Sequence, residues 1–188
     1  MSQFEYIMVM VALILALALA QSLRGLSEIV TSQKRYWPHA LWLVSLAFIM
    51  VQGWWADWDY NAVGEWRFTT YLLVLASPAI SFAAAHLLVP ATRAIDIDWQ
   101  AQFSAVRQWF FGLLITYFLV AVVQSVFLYG TPLLHPYRLF QILLILILLV
   151  GFFVHNDRVQ KALPPLFIAI NIIGQLVVRM NIGALMID

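Results

Sequence analysis

The chain carries, at residues 4–23, the stretch FEYIMVMVALILALALAQSL, whose one charged residue is Glu5. A helix needs about 20 mostly apolar residues to cross the roughly 30 Å of hydrocarbon in a bilayer. Residues 1–6 contain no Lys or Arg, whereas a secretory signal peptide begins with basic residues. The stretch therefore predicts a transmembrane helix rather than a cleaved signal.

The composition extends this prediction to the whole chain. Of its 188 residues, 64% are hydrophobic and 10% are charged, whereas about 25% of the residues in a soluble domain are charged. A chain of this size could not hide so much apolar surface from water. We predict an all-α membrane protein with one transmembrane domain, residues 1–188, and six membrane-spanning helices. The predicted spans are about 4–23, 38–55, 69–89, 106–129, 133–154 and 163–178.

Several chemistries find no support in the sequence. The net charge of +1 gives no field that would attract nucleic acid, and the absence of cysteine excludes disulfides and thiolate metal sites. The sequence contains no phosphate-binding glycine loop, no G-x-S-x-G turn and no H-E-x-x-H pair. We therefore expect no enzymatic activity and no cofactor or metal. His39, His86 and His155 are predicted near one membrane surface, and whether they come together stays open.

Lys and Arg are distributed unevenly between the two sides of the predicted bundle. Three lie on the side of the termini and seven on the other side: Arg67, Arg138 and Arg179 against Arg24, Lys34, Arg35, Arg93, Arg107, Arg158 and Lys161. Cytoplasmic connectors are enriched in Lys and Arg. This bias predicts a multi-pass protein of the bacterial inner membrane with both termini in the periplasm.

The second and fifth spans are similar. Pro38 and Gly53 have counterparts in Pro136 and Gly151, both displaced by the same number of positions. Two tandem units of three helices would run in opposite directions through the membrane, as in many transporters. The alternative is chance similarity between leucine-rich helices. Two inverted three-helix repeats are therefore a hypothesis.

Polar residues within a span are costly in lipid and are functional candidates by default. Asn171, Gln175 and Arg179 follow one another at four-residue intervals, which places them on one face of the last span. Asn171 lies near the middle of the membrane and is expected to point inward. We predict that this face lines a hydrated path or holds a polar solute. The alternative is hydrogen bonding between helices, with Arg179 reaching the headgroups.

A second polar group opens the fifth span. His135, Arg138 and Gln141 are three residues apart and thus roughly on one helix face. They are the other candidates for a polar lining. The rest of this span, residues 142–154, is purely apolar, so a pore lined along its whole length is not expected.

Small residues at four-residue spacing let helix backbones approach closely in lipid. Two spans carry such stripes, and we predict that both are packing surfaces within the chain, with a homo-oligomer interface as the alternative. The stripes consist of Ala12, Ala16 and Ala20, and of Ser77, Ser81 and Ala85.

The second span closes with residues 52–58, QGWWADW. This run resembles the Q-x-W-W-x-x-W pattern of small bacterial six-helix integral membrane proteins of unknown function. The likeness extends to Glu5-Tyr6 and Arg24-Gly25-Leu26 around the first span, and to residues 107–111, RQWFF, at the fourth. The resemblance implies a bacterial inner-membrane setting and carries no activity over.

The size, the repeat hypothesis and the polar face of the last span favour a small transporter or channel for an ion or small solute. The alternative is a non-transporting membrane sensor or an accessory subunit of a larger membrane complex. The scarcity of charge within the spans favours this alternative, because ion-coupled transporters usually bury a carboxylate. Membrane lipids are the expected partners, with a second copy of the chain or a larger complex left open.

Overall fold

The computed structural model describes residues 2–90 and 97–178, and in these ranges all regular structure is helical. The prediction of an all-α membrane protein is confirmed at this level. Five of the helices in the described ranges are long and apolar enough to cross a membrane, while α5, with 17 residues, is shorter. The elements are α1 (Gln3–Thr31), α2 (Trp37–Ala56), a 3₁₀ helix (Asp57–Ala62), α3 (Phe68–Leu88), α4 (Trp99–Tyr129), α5 (Tyr137–Phe153) and α6 (Asp157–Val178).

Local capping explains why several helices extend beyond the predicted spans. The Ser2 side chain accepts from the Glu5 backbone N–H and the Glu5 side chain bonds back to Ser2, which forms a capping box at the start of α1. The Asp98 carboxylate accepts two backbone N–H groups at the start of α4, and the Asn156 side chain accepts one at the start of α6. The predicted spans followed apolar residues alone, whereas these helices begin at polar caps.

The start of α6 corrects one predicted boundary. The sequence places the beginning of the last span near Pro164 and Pro165, because proline is tolerated in the first turn of a helix. In the structure both prolines lie inside α6, which begins at Asp157. The Gln160 side chain donates to the carbonyls of Gly151 at 3.0 Å and Val154 at 2.6 Å, and thereby ties this first segment of α6 to the end of α5.

The six helices form a closed ring in the order α1, α3, α4, α5, α6, α2, and α2 also contacts α3 and α4 across it. We call the end of the bundle at which α1 begins the N-terminal face, and the other end the opposite face. The 3₁₀ helix and the first turns of α3 and α5 lie at the N-terminal face. This ring leaves an interior whose two halves differ in chemistry.

The half near the opposite face is filled by large aromatic and aliphatic side chains. Trp42 is fully buried on α2, and its ring centroid lies 5.1 Å from that of Phe111 and 5.3 Å from that of Phe167. Phe110 is equally buried, with its centroid 5.6 Å from Trp42. Offset and edge-to-face aromatic contacts of this kind stabilise a core beyond the area they bury. We call Trp42, Phe110, Phe111 and Phe167 the aromatic plug.

Buried polar groups at the opposite face tie the ends of the helices together. Arg107 on α4 donates to the Val154 carbonyl at the end of α5, at 2.5 Å. A cation is favourable there because the carboxyl end of a helix carries partial negative charge. Tyr36 in the first connector donates to Asp157 at 3.0 Å, and its burial, followed by the adjacent carboxylate, raises the pKa of the Tyr36 hydroxyl.

The two predicted packing stripes have different outcomes. On α3, Ser81 and Ala85 are buried as expected. On α1, Ala12 is partly buried whereas Ala16 and Ala20 are exposed, so this stripe is not packed within the chain along its whole length, and the homo-oligomer interface stays a prediction. The packed face of α1 lies elsewhere and includes Ile7, Val11, Ala18, Ser22, Gly25 and Ile29. Alanines recur along α1 on both faces, so their spacing alone did not identify the packed one.

The repeat hypothesis is left unconfirmed by the helix arrangement. In the first half of the chain α1 packs against α3, whereas their counterparts α4 and α6 are separated in the ring by α5. The counterpart glycines both lie against α4, with Gly53 beside Tyr117 and Gly151 beside Phe111. The proline and glycine positions of α2 and α5 are thus similarly spaced, but the two helices have different packing partners.

Gly151 is where the ring is packed most tightly against the plug. A methyl group there would lie 2.6–2.8 Å from ring atoms of the fully buried Phe111. We expect Gly151→Ala to destabilise the protein by about 1–3 kcal/mol, as overpacking does, although alanine has the better helix propensity. Thermal unfolding in detergent measures this change. Gly112→Ala is the matched control, because its nearest new neighbour is 3.8 Å away, and equal melting temperatures for the two variants would contradict the expectation.

Candidate functional site

The half of the interior near the N-terminal face contains a cavity of about 80 Å³. We call it the central chamber. This exceeds the space that a single water needs, so the chamber has room for ordered water or for one small solute. Its polar lining comes from α2, the 3₁₀ helix, α3, α4 and α5, and consists of Gln52, Asp57, Tyr60, Ser77, Tyr117, Gln124, Ser125, Tyr129, Tyr137 and Gln141.

The α3–α4 wall of the chamber is organised by Gln124. Its side-chain oxygen accepts from the Ser77 hydroxyl at 3.0 Å, and its amide nitrogen donates to the Leu73 carbonyl at 2.7 Å. Both contacts lie next to Pro78, which has no N–H and interrupts the hydrogen-bond ladder of α3. Gln124 is 5% exposed, so this polar contact is held away from lipid.

Ser77 and Ser81 are the hydroxyl residues nearest to Pro78 in the sequence, and are thus the candidates to satisfy the backbone carbonyl that this proline frees. The structure does not place them so, because the Ser81 hydroxyl donates to the Ser77 carbonyl at 3.0 Å and the Ser77 hydroxyl turns to Gln124. The proline region of α3 is therefore linked across the interior to α4.

A second amide pair joins α2 to α6. Gln52 lines the chamber and donates through its amide nitrogen to the Gln175 side-chain oxygen at 2.7 Å. The sequence singles out Gln175 as a lining residue, and the structure gives it a role in positioning Gln52. Such a pair between helices is the alternative that the sequence leaves open for this face.

The end of the chamber nearest the N-terminal face is rich in tyrosine. Tyr60 on the 3₁₀ helix and Tyr129 at the end of α4 have ring centroids 5.2 Å apart, and Tyr60 is 3% exposed. Tyr117 lies one level deeper, where a Cβ at Gly53 would be 3.0 Å from its hydroxyl. Gly53 therefore makes room for the Tyr117 hydroxyl at the chamber wall. A phenol offers one donor and acceptor on a rigid apolar ring.

Of the three candidates around the start of α5, Gln141 lines the chamber, Arg138 binds Gln141, and His135 precedes the helix. Gln141, 3% exposed, lines the chamber together with Tyr137. Arg138, 7% exposed, donates through Nη1 to the Gln141 side-chain oxygen at 2.7 Å. His135 precedes the helix and accepts the Tyr137 backbone N–H on Nδ1 at 3.2 Å. The structure thus brings Arg138 and Gln141 together and leaves His135 at the helix start.

Asn171 on α6 is 4% exposed and faces the interior, as the sequence predicts. It is not among the residues that line the chamber, and its amide nitrogen has no hydrogen-bond partner in the described ranges. Arg179, the remaining candidate of this face, lies outside the described residues.

The three histidines near the opposite face have separate surroundings. His39 is fully buried and its Nδ1 lies 3.3 Å from the Trp99 carbonyl. His86 stacks on Phe82, and the Nδ1 of His155 lies 3.0 Å from a carbonyl in its own chain segment. Within residues 2–90 and 97–178, no group of three or more His, Asp or Glu side chains is placed to hold a metal ion.

Gln52, Gln124 and the tyrosines line the chamber, and none of them is among the candidate residues predicted from the sequence. A usable signal is present on α4, where Tyr117 and Gln124 are seven residues apart, close to two helical turns, and therefore share one face. Tyr60 had no such signal, because its position depends on the 3₁₀ helix that folds over the chamber.

The chain was also compared with known proteins: no protein-family model, no curated protein and no solved structure matches it.

Proposed function

We propose that this chain is a small transporter of the bacterial inner membrane that binds a small hydrogen-bonding solute in the central chamber. The observation that carries the proposal is a chamber whose lining collects amide and hydroxyl side chains from five elements, together with the Asp57 carboxylate. Neutral donors and acceptors of this kind replace the hydration shell of a polar solute. Buried polar groups in a membrane are costly, which supports a functional reason for collecting them.

The aromatic plug favours a transporter over a continuously open channel. Trp42, Phe110 and Phe111 are completely buried between the chamber and the opposite face. A solute entering from the N-terminal face therefore meets a closed end. Transport requires a second conformation in which the plug separates and the chamber is closed toward the N-terminal face, which is alternating access.

The interrupted hydrogen-bond ladder at Pro78 offers a place for such a change. Proline inside a membrane helix weakens the backbone ladder and favours a bend at that point. Pro78 lines the chamber beside Ser77. A bend of α3 there would move the Ser77–Gln124 contact and change the chamber directly.

Solute flux in liposomes that contain only this protein tests the proposal. The probes are urea, glycine and acetate, which are small enough for the chamber and differ in charge. We expect uptake of at least one probe that saturates with concentration, above the rate of protein-free liposomes. The absence of saturable uptake for all probes of this size, with protein that remains folded, would contradict transport of a small polar solute.

The second candidate is a non-transporting sensor, and the closed end of the chamber is the observation that favours it. A sensor binds the solute without carrying it across. Binding to the detergent-solubilised protein without flux in liposomes would support this function, especially if a partner at fixed stoichiometry is purified with it from native membranes.

The orientation proposed from the Lys and Arg bias has its own measurement. A reporter that is active only in the cytoplasm, fused to the C terminus, is expected to give no signal. Strong activity would place the termini, and with them the half of the bundle that contains the chamber, on the cytoplasmic side.

A further inference from the structure

Arg138 carries a positive charge that is buried and only partly satisfied. Its side chain lies in the first turn of α5 and is 7% exposed. Nη1 donates to the Gln141 side-chain oxygen at 2.7 Å. In the described part of the chain, Nε and Nη2 are inaccessible to solvent and have no hydrogen-bond acceptor.

The two remaining donors have a specific geometry. In a planar guanidinium, Nε–H and one N–H of Nη2 point in parallel from the same edge. This edge matches two oxygens of a carboxylate or phosphate in a bidentate contact. Gln141 holds the guanidinium from the other side, so its orientation is fixed before a ligand arrives.

The local electrostatics also call for an anion. The amino end of a helix carries partial positive charge, so α5 adds to the charge of Arg138 and does not compensate it. Arg107 is the contrasting case, because it lies at the negative end of the same helix and donates to the Val154 carbonyl. Among the described residues, Arg138 is the arginine whose buried guanidinium nitrogens lack partners.

We propose that Arg138 and Gln141 form a binding site for one oxyanion that presents two oxygens to the Nε–Nη2 edge. The phosphate of a phospholipid headgroup and a free phosphate or carboxylate share this chemistry. Because α5 begins at the N-terminal face, an anion from either source approaches its first turn from that side, and the covered Nε–Nη2 edge is reached only when neighbouring side chains move. The site stands on these two side chains and does not require that the chamber carries a solute.

Titration of delipidated, detergent-solubilised protein tests the site. The probes are inorganic phosphate, acetate, and phosphatidylglycerol in mixed micelles, followed by calorimetry and by native mass spectrometry. We expect saturable binding of one anion per chain. Binding of phosphate or acetate identifies a free anion, and binding of phosphatidylglycerol alone identifies a headgroup.

Three variants locate the binding. Arg138→Gln removes the charge and the parallel donors, and is expected to weaken binding at least about tenfold, as loss of a charged hydrogen bond does. Arg138→Lys keeps the charge without the two-donor edge, so its affinity is expected to lie between those of Arg138→Gln and the wild type. Arg67→Gln is the control, because Arg67 is 78% exposed at the same face and pairs with Glu65.

Two results would overturn the site. One is the absence of saturable binding of every probe to the wild-type protein, which is decided without any variant. The other is equal affinity in the wild type and all three variants, which would assign the binding to the general surface. Neither result depends on flux, so failure here is distinguishable from failure of the transport proposal.

Discussion

Trp42→Ala is expected to lower the free energy of unfolding by about 3–5 kcal/mol, the usual cost of removing a large buried aromatic. In a chain of this size that corresponds to a melting temperature lower by about 6–20 °C. The reason is that Trp42 has no exposed surface and contacts Phe110, Phe111 and Phe167 at the centre of the aromatic plug. Thermal unfolding in detergent measures the loss.

The same variant tests whether the plug seals the bundle. Removing the indole leaves an opening between the central chamber and the opposite face, so we expect liposomes with Trp42→Ala to leak small solutes without saturation. Trp42→Phe is the matched control. It keeps an aromatic ring and removes the indole nitrogen, which has no partner in the described ranges, so it should stay closed and lose much less stability.

A destabilised Trp42→Ala protein that remains impermeable would separate these two roles. It would show that Trp42 contributes packing while other residues form the seal. A variant with unchanged melting temperature would contradict the packing argument itself, because a fully buried indole cannot be removed from a close-packed interior without cost.

The helical fold could be predicted from the sequence because each apolar stretch carries its own signal. The span at residues 4–23 is apolar enough to be recognised without knowledge of its neighbours. Helix ends were less accessible, since the caps at Asp98 and Asn156 are polar residues that a search for apolar stretches excludes. At α5 the predicted start is too early. The predicted span includes residues 133–136, but the helix begins only at Tyr137.

The candidate site depends on which helix faces meet, and one sequence does not contain that information directly. Arg138 and Gln141 were identified because both lie on one helix and their spacing is local. Gln52 and Gln175 are far apart in the chain, and their contact exists only because α2 and α6 are neighbours in the ring. The position of Tyr60 is harder still to predict from the sequence, because it depends on the 3₁₀ helix after α2, which brings this side chain over the chamber.

Gln124→Leu is expected to reduce saturable flux at least about tenfold while costing little stability. The side chain links the Ser77 hydroxyl to the Leu73 carbonyl and lines the chamber. Interhelical hydrogen bonds in membranes contribute on average about 0.6 kcal/mol and at most about 1.7 kcal/mol. Leucine has similar bulk but no donor or acceptor, so a site that hydrogen-bonds its solute loses far more discrimination than the fold loses stability.

Measuring both flux and melting temperature for each variant distinguishes a residue that acts on the solute from a residue that only stabilises the bundle. Gln108→Leu is the matched control, because Gln108 is an exposed glutamine on the same helix, and it should change neither quantity. Asn171→Leu removes a buried amide outside the chamber lining and should also preserve flux. If Gln124→Leu lowers the melting temperature strongly and leaves flux unchanged, the Ser77–Gln124 contact is structural. Reduced flux in Asn171→Leu alone would instead move the solute path to the face of α6 that the sequence first indicated.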